Sequence, residues 1–208
     1  MNRLSQRVIS LRMLIVAILS LSSCGWNDRP LEIYVLGDGA PAGQGQLSEL
    51  NSPIVEVKPI RLPDYLDNKD IVVRHAGGQI LVSPDARWGE RLSLGVTRAI
   101  TASLAASLPR LAVVNVAAPE VPRWRVLVDI DAFDVQSDAH CILTGRWSVW
   151  TGDGEKKLSE EKFSMSASIG KGTDPEIVAA MTQLVDQLAA TMIPTVAGGA
   201  EPRRVTSR

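Results

Sequence analysis

The sequence predicts an α+β fold, a mostly antiparallel sheet with two long helices packed on one of its faces. Residues 124–168 contain three long segments with strand-like alternation, joined by short turns as in an antiparallel meander. Two further stretches, one before the meander and one after it, place apolar residues at helical spacing. Shorter strand-like segments precede the first of these helices and separate it from the meander.

The chain opens with a basic and then apolar leader. Three arginines and no acidic residue accompany the apolar stretch of residues 13–21. This stretch is too short for a membrane-spanning helix, which needs about 20 apolar residues. A basic flank, a short apolar run and a small-residue step are typical of a secretory signal.

The end of the leader, Leu21-Ser22-Ser23-Cys24, resembles the lipobox of bacterial lipoproteins. In that family a peptidase cuts just before the cysteine, whose thiol carries a diacylglycerol. The resemblance implies that residues 1–23 are a cleaved signal peptide, that cleavage falls between Ser23 and Cys24, and that Cys24 carries diacylglycerol and an N-acyl chain. The alternative is an ordinary secretory signal in which the cysteine occurs by chance.

The residue after the cysteine bears on where such a lipoprotein resides. In enterobacterial lipoproteins an Asp at this position retains the protein in the inner membrane, whereas this chain has Gly25. The resemblance therefore implies an outer-membrane lipoprotein that faces the periplasm. Residues 24–30 are expected to form a lipidated tether, and residues 31–194 the folded domain.

Charge and cysteine content narrow the possible partners. The whole chain has a formal net charge of −1, and loss of the leader's three arginines makes it about −4, so we expect no nucleic-acid partner. The only basic cluster lies in residues 195–208, which we expect to be a disordered tail. If Cys24 carries lipid, Cys141 has no partner for a disulfide and is expected to be a buried, inert thiol.

The elements before the first helix follow from alternation and turn residues. Residues 31–37 are predicted to form a strand, followed by a long loop rich in Gly, Pro, Ser and Asn. Residues 54–62 form a second strand, at an edge or bent because Pro59 lies near its end. Residues 71–75 and 79–83 flank Ala-Gly-Gly and predict a hairpin.

Ser83 and Pro84 predict the start of the first helix, as N-cap and first helical residue. Pro109 is predicted to end it, and residues 110–116 to form a strand. The apolar face of this helix is Trp88, Leu92, Val96, Ile100 and Leu104.

The meander consists of predicted strands at residues 124–136, 140–150 and 157–168. In the first of them Val126, Val128, Ile130 and Ala132 are expected on one face, opposite Asp129 and Asp131.

The second helix is predicted to begin at Thr173, because Thr173 and Glu176 have capping-box spacing; alternatively Asp174 caps it with Pro175 at the first helical position. Pro194 is predicted to end it. Its apolar seam is Ile177, Met181, Leu184, Leu188 and Met192.

The sequence shows little that could perform chemistry. It contains no G-x-S-x-G elbow, no H-E-x-x-H and no P-loop, so we expect no catalytic residue and no metal site. His75 and His140 each lie beside a predicted turn, as solvated histidines do. Asp129 and Asp131 could together bind a cation or act in acid–base catalysis, but a solvent-facing polar stripe is the commoner arrangement.

Residues 57–104 resemble the ABC-type transport auxiliary lipoproteins, a family that includes paraquat-inducible protein C. The shared motifs are Arg61-Leu62-Pro63, Tyr65-Leu66-Asp67, Ile71-Val72 with Arg74, and then Trp88, Glu90 and Leu92 at a helix start. The later order of elements also agrees. Lys69 departs from the family, in which a Pro is frequent at that turn.

The resemblance implies a non-enzymatic component that works beside an ABC permease, its ATPase and a periplasmic MCE-domain protein, in systems that move lipids or other hydrophobic molecules across the envelope. A homo-oligomer is a further possibility.

The connector residues Pro63, Tyr65 and Leu66 are the candidate partner-binding residues, since a Pro-fixed loop can display Tyr and Leu to a partner. The alternative is that Tyr65 and Leu66 pack onto the sheet. An assembly or docking role in another outer-membrane secretion or export machine is the alternative function.

Overall fold

The computed structural model describes residues 30–37, 52–117 and 120–198. These residues form eight strands and two α-helices. The strands are β1 (Glu32–Tyr34), β2 (Ile54–Val57), β3 (Asp70–Arg74), β4 (Ile80–Trp88), β5 (Ala112–Val114), β6 (Trp124–Gln136), β7 (His140–Thr151) and β8 (Lys157–Ser168), and the helices are α1 (Leu92–Ser107) and α2 (Asp174–Ala197). The expected signal peptide, the tether and the loop before β2 lie outside the described residues, apart from the last residue of the tether and the two residues that precede β2.

The predicted meander is confirmed. Strands β6, β7 and β8 pair antiparallel in sequence order. The bounds of β6 and β8 are those that the alternation predicts, because long alternating runs between turn residues leave few other positions for the strand ends. The hairpin between β3 and β4 is also confirmed, with its turn at Ala76–Gly78.

Strand β6 is paired on both edges. On the edge away from β7, β2 lies parallel to the first three residues of β6 and β3 parallel to its last two. Strand β5 pairs with β2, and β4 links β3 to β1. The long pairings are therefore antiparallel and the short ones parallel, in one mixed sheet of eight strands.

A β-bulge changes the alternation within β6. The pairing with β7 shifts between Ile130 and Ala132, so one residue is left unmatched and the following side chains change face. The buried apolar series continues at Phe133 and Val135. The expectation that Ala132 shares the buried face is therefore wrong.

Both helices pack on one face of the sheet, as predicted. They contact each other, and α2 lies against β7 and β8. Helix α2 has 24 residues and contains an 18-residue window with a mean hydropathy of 1.2, so it could cross a membrane by length and composition alone. Its apolar seam is instead buried in the core: Ile177, Met181, Leu184, Leu188 and Met192.

The predicted start of the first helix is wrong. Ser83, Pro84 and Trp88 belong to β4, and α1 begins only at Leu92. Trp88 fitted the helical spacing because it does reach the buried face, but it does so from a strand. The spacing from Leu92 onward is correct.

The start of the second helix is confirmed and its end is not. Thr173 and Glu176 form the predicted capping box. Pro194 lies inside the helix, which continues to Ala197, and the amide of Gly198 donates to the carbonyl of Pro194 at 3.0 Å. Pro194 cannot donate the helical hydrogen bond of its position, but the turn after it is packed against the core, where Val196 is buried. The first three residues of the expected tail are thus helical, and residues 199–208 lie outside the described part.

Gly145 is required by close approach within the meander. A Cβ at this position would lie 2.2 Å from the carbonyl oxygen of Asp129 and 2.8 Å from Phe163.

We expect Gly145→Ala to destabilise the fold by about 3 kcal/mol or more, because the backbone at Asp129 must move. Gly95→Ala, inside α1, is the matched control. Its Cβ would meet only ordinary contacts, with Glu90 at 3.5 Å and Leu36 at 3.6 Å, so the free energy of unfolding should rise by about 0.5–1 kcal/mol. Urea denaturation measures both, and an unchanged midpoint for Gly145→Ala would contradict the packing described.

Candidate functional site

The connector between β2 and β3 carries the predicted partner-binding residues. It turns at Pro63, whose carbonyl accepts the amide hydrogens of Leu66 at 2.9 Å and Asp67 at 3.2 Å. Leu66 is only 2 % exposed and lies in the core. Tyr65 is half-buried and Pro63 partly exposed, whereas Asp64 is exposed. Leu66 therefore presents no side chain to a partner, and binding through this connector stays a prediction for Pro63 and Tyr65.

Tyr65 is fixed by a buried carboxylate of β6. Its hydroxyl donates to Asp134 Oδ1 at 2.7 Å. Arg74 holds the same carboxylate, with Nε 2.9 Å from Oδ2, and its guanidinium lies 5.0 Å from the centre of the Tyr65 ring. Burial, followed by the bond to Asp134, raises the pKa of Tyr65, so the phenol remains a neutral donor. This cluster ties the connector to the sheet.

Asp67 caps α1 from outside the helix. Its Oδ1 accepts the amide hydrogen of Ser93 at 3.1 Å, and its carboxylate also pairs with Arg91. Burial would raise the pKa of Asp67, but the bonds to Ser93 and Arg91 outweigh it, so the pKa is lowered. A negative charge beside the first turn of a helix stabilises it. The sequence predicted a cap at Ser83, next to the expected helix start, and therefore gave no indication of a cap from Asp67.

The segment from β2 through the connector runs beside β6. Successive contacts join residues 68 or 69 positions apart: Glu56 with Arg125, Arg61 with Asp129, and Tyr65 with Asp134. Backbone bonds accompany them, including the amide of Ile130 to the carbonyl of Arg61 at 2.9 Å. The motif residues of the connector therefore have structural partners.

Asp129 and Asp131 do not form a paired site. Asp129 is held by Arg61 and by Arg146, the latter at 3.4 Å, and Asp131 is exposed at the bulge. The hydrogen bond from Arg61 is the main cause that lowers the pKa of Asp129. A carboxylate neutralised by two guanidinium groups is a poor cation ligand or general base. Among residues 30–37, 52–117 and 120–198, no group of three or more His, Cys, Asp and Glu could hold a metal ion.

One shallow depression lies between β1 and α1. Its volume is about 150 Å³ even when the open solvent above it is included, and Val35, Leu36, Trp88 and Gly95 are among its lining residues. Pockets that bind small molecules usually measure about 300–1,000 Å³. This depression is too small to enclose a lipid.

The cysteine, the two histidines and two of the tryptophans can each be placed in the fold. Cys141 is fully buried, as predicted, and burial is the main cause that raises its pKa to about 12. His140 is exposed at the start of β7, with Nδ1 3.1 Å from the carbonyl oxygen of Asp138. His75 precedes the hairpin turn. Trp88 and Trp147 are core residues.

Comparison with known families decides the assignment. The model of the "ABC-type transport auxiliary lipoprotein component" family matches residues 34–193. The chain belongs to this family. The resemblance read from the connector and helix motifs is thus confirmed, and the match spans every strand and helix of the described domain except the first two residues of β1 and the end of α2. No protein of curated function matches the sequence.

Solved structures share the fold of this auxiliary lipoprotein. An uncharacterised protein is 17 % identical with a TM-score of 0.67, over 80 % of this chain and 99 % of that one. Protein XCC0632 from Xanthomonas campestris is 13 % identical with a TM-score of 0.62, over 81 % of this chain and 96 % of that one. At these identities the likeness concerns the fold alone.

The burial of the connector generates a stability prediction. Leu66→Ala should destabilise the domain by about 2–5 kcal/mol, because it leaves a cavity in the core. The double variant with Tyr65→Ala should be less stable still, since Asp134 loses a donor. Asp64→Ala, on the exposed side of the same turn, is the control and should leave the melting temperature unchanged. A double variant that melts like the wild type would show that the connector is not packed as described.

The Asp129 ion pairs predict a pH dependence. Its folded-state pKa is lowered, so the pairs stabilise the fold above the unfolded value near 4 and are lost as the pH falls through the folded value. Arg61 is 74 % and Arg146 51 % exposed, so we expect only about 0.5–1 kcal/mol. Asp129→Asn should remove this part of the acid destabilisation, whereas Asp131→Asn should not. Equal acid profiles for Asp129→Asn and wild type in thermal melts would contradict this.

Proposed function

We propose that this chain is a non-enzymatic outer-membrane lipoprotein. In this proposal it is the accessory component of an ABC and MCE type of transport system, which moves lipids or other hydrophobic molecules across the cell envelope. The observation that carries the proposal is the family match over residues 34–193, which follows a lipobox-like sequence ending at Cys24.

The anchor in this proposal is the acylated Cys24. Each buried CH₂ of an acyl chain contributes about 0.8 kcal/mol, and two or more chains hold a protein stably on a membrane. A diacylglycerol on the thiol together with an N-acyl chain meets this requirement. Gly25 in place of Asp supports outer-membrane sorting with the domain in the periplasm.

The polar chemistry of the described domain supports a binding role over catalysis. Two of the three carboxylates of β6, Asp129 and Asp134, are each held by arginine. The depression beside β1 measures only about 150 Å³, which is less than a substrate pocket needs. Cargo would therefore be carried by the partner proteins, and this chain would supply attachment and docking.

The partners proposed are a periplasmic MCE-domain protein, an ABC permease and its ATPase. The exposed side of the connector, at Pro63 and Asp64, is the surface of this loop that a partner could reach. A homo-oligomer would present several copies of this surface together.

Affinity capture tests the proposal. The full-length protein with a C-terminal tag is expressed in its native envelope, solubilised in mild detergent and purified, and the co-purifying proteins are identified by mass spectrometry. We expect an MCE-domain protein together with a permease and an ATPase. Asp64→Arg should reduce their recovery, because it places an opposite charge on the connector, whereas Asp138→Arg on the exposed turn before β7 is the matched control.

Other outcomes separate the alternatives. Recovery of secretion or polysaccharide-export proteins instead would assign the fold to a different envelope machine. Equal recovery from Asp64→Arg and wild type would exclude the connector as the docking surface while leaving the system assigned. Metabolic labelling with palmitate tests the anchor separately: Cys24→Ala should lose the label.

A further inference from the structure

An exposed apolar stripe lies on the first strand. Leu31, Ile33 and Val35 alternate along β1 and its flanks, and they are 54 %, 58 % and 43 % exposed. Alternate residues of a strand lie on the same face. The hydroxyl of Tyr34 donates to Glu32, which places those two side chains together on the other face. We call Leu31, Ile33 and Val35 the β1 stripe.

The sheet holds the stripe in a defined position. Within the described residues β1 is an edge strand that pairs with β4 alone. The amide of Gly89 donates to the carbonyl of Tyr34 at 2.7 Å. A Cβ at Gly89 would lie 3.3 Å from a methyl of Val35 and 3.4 Å from one of Ile33. Both side chains thus rest against the backbone at Gly89 and expose their outer sides.

We propose that the β1 stripe rests on the lipid bilayer to which Cys24 is attached. This rests on the acylation of Cys24 proposed above. Only seven residue steps separate Cys24 from Leu31, so the fully extended chain allows about 25 Å between them. That reach is shorter than β6, whose 13 residues extend about 43 Å at 3.3 Å each. The first strand is therefore tied close to the membrane surface.

The size and composition of the stripe favour a bilayer over a protein partner. A stable protein interface buries about 800 Å² on each partner, far more than three half-exposed side chains of a three-residue strand can offer. Apolar side chains beside a lipid anchor can instead enter the headgroup region, where burial about 5–10 Å deep is sufficient. Trp26, within the tether sequence, is a residue type enriched at that interface.

Site-specific fluorescence tests the proposal on the full lipidated protein in liposomes. Leu31→Cys carries an environment-sensitive fluorophore, and Ser164→Cys on β8, at the opposite edge of the sheet, is the matched control. Labelling is selective, because Cys24 is acylated and Cys141 is fully buried. With lipids brominated in their acyl chains, we expect the label at position 31 to emit at shorter wavelength and to be quenched, and the label at 164 to do neither.

Substitutions within the stripe sharpen the test. Ile33→Ser with Val35→Ser, added to labelled Leu31→Cys, should reduce the quenching toward that of the position 164 control. Val121→Ser is the comparison, because Val121 is 76 % exposed but lies outside the stripe, and it should leave the quenching unchanged.

Every other outcome overturns the assignment. Equal, unquenched emission from both labels, on protein whose mass shows acylated Cys24, overturns the bilayer contact but not the anchor. Shielding that rises with protein concentration and ignores brominated lipid means that a second copy covers the stripe. Shielding that depends neither on protein concentration nor on brominated lipid means that another segment of this chain covers the stripe. A mass without acyl chains overturns the anchor and the contact together.

Discussion

The pairing of β6 on both edges is the constraint on which the rest of this structure depends. Its 13 residues run along β7 on one side, while β2, the connector and β3 follow one another along the other side. The segments before α1 therefore pair with the meander along β6. The buried apolar residues of β6 belong to the core. Asp129 and Asp134 lie on the opposite face of the strand, where Arg61, Tyr65 and Arg74 contact them.

Arginine–carboxylate pairs order the polar groups on this face of the sheet. Glu56, Asp129 and Asp134 each receive at least one arginine, and each pair joins segments far apart in sequence. Glu56 and Asp134 are both buried to about 95 %, so an unpaired charge at either position would be costly. Such pairs fix the register in which the connector lies against β6. The connector motif residues Arg61, Tyr65 and Asp67 are thus each needed for packing in this structure.

Sequence patterns predicted the structure correctly where one strong pattern dominated a long segment. The three meander strands and the Thr173–Glu176 capping box followed from alternation and spacing. The predictions were wrong where tertiary contacts determine the structure. Trp88 obeyed the helical spacing from a strand, and the cap of α1 comes from Asp67, 25 residues before the helix begins. The bulge in β6 did leave a signal, because the buried apolar positions pass from Val128 and Ile130 to Phe133 and Val135, a step of three where a regular strand takes two.

The single buried thiol has a consequence for how the chain is made. If Cys24 carries lipid, as proposed, Cys141 is left without a disulfide partner in the interior of the meander, and the fold is completed without a cross-link. In the oxidising compartment proposed for this protein, maturation then requires neither a disulfide-forming catalyst nor an isomerase. The unfolded chain does expose this thiol to oxidants and to other secreted chains. Pairing of β7 with β6 and β8 then buries the thiol and removes it from their reach.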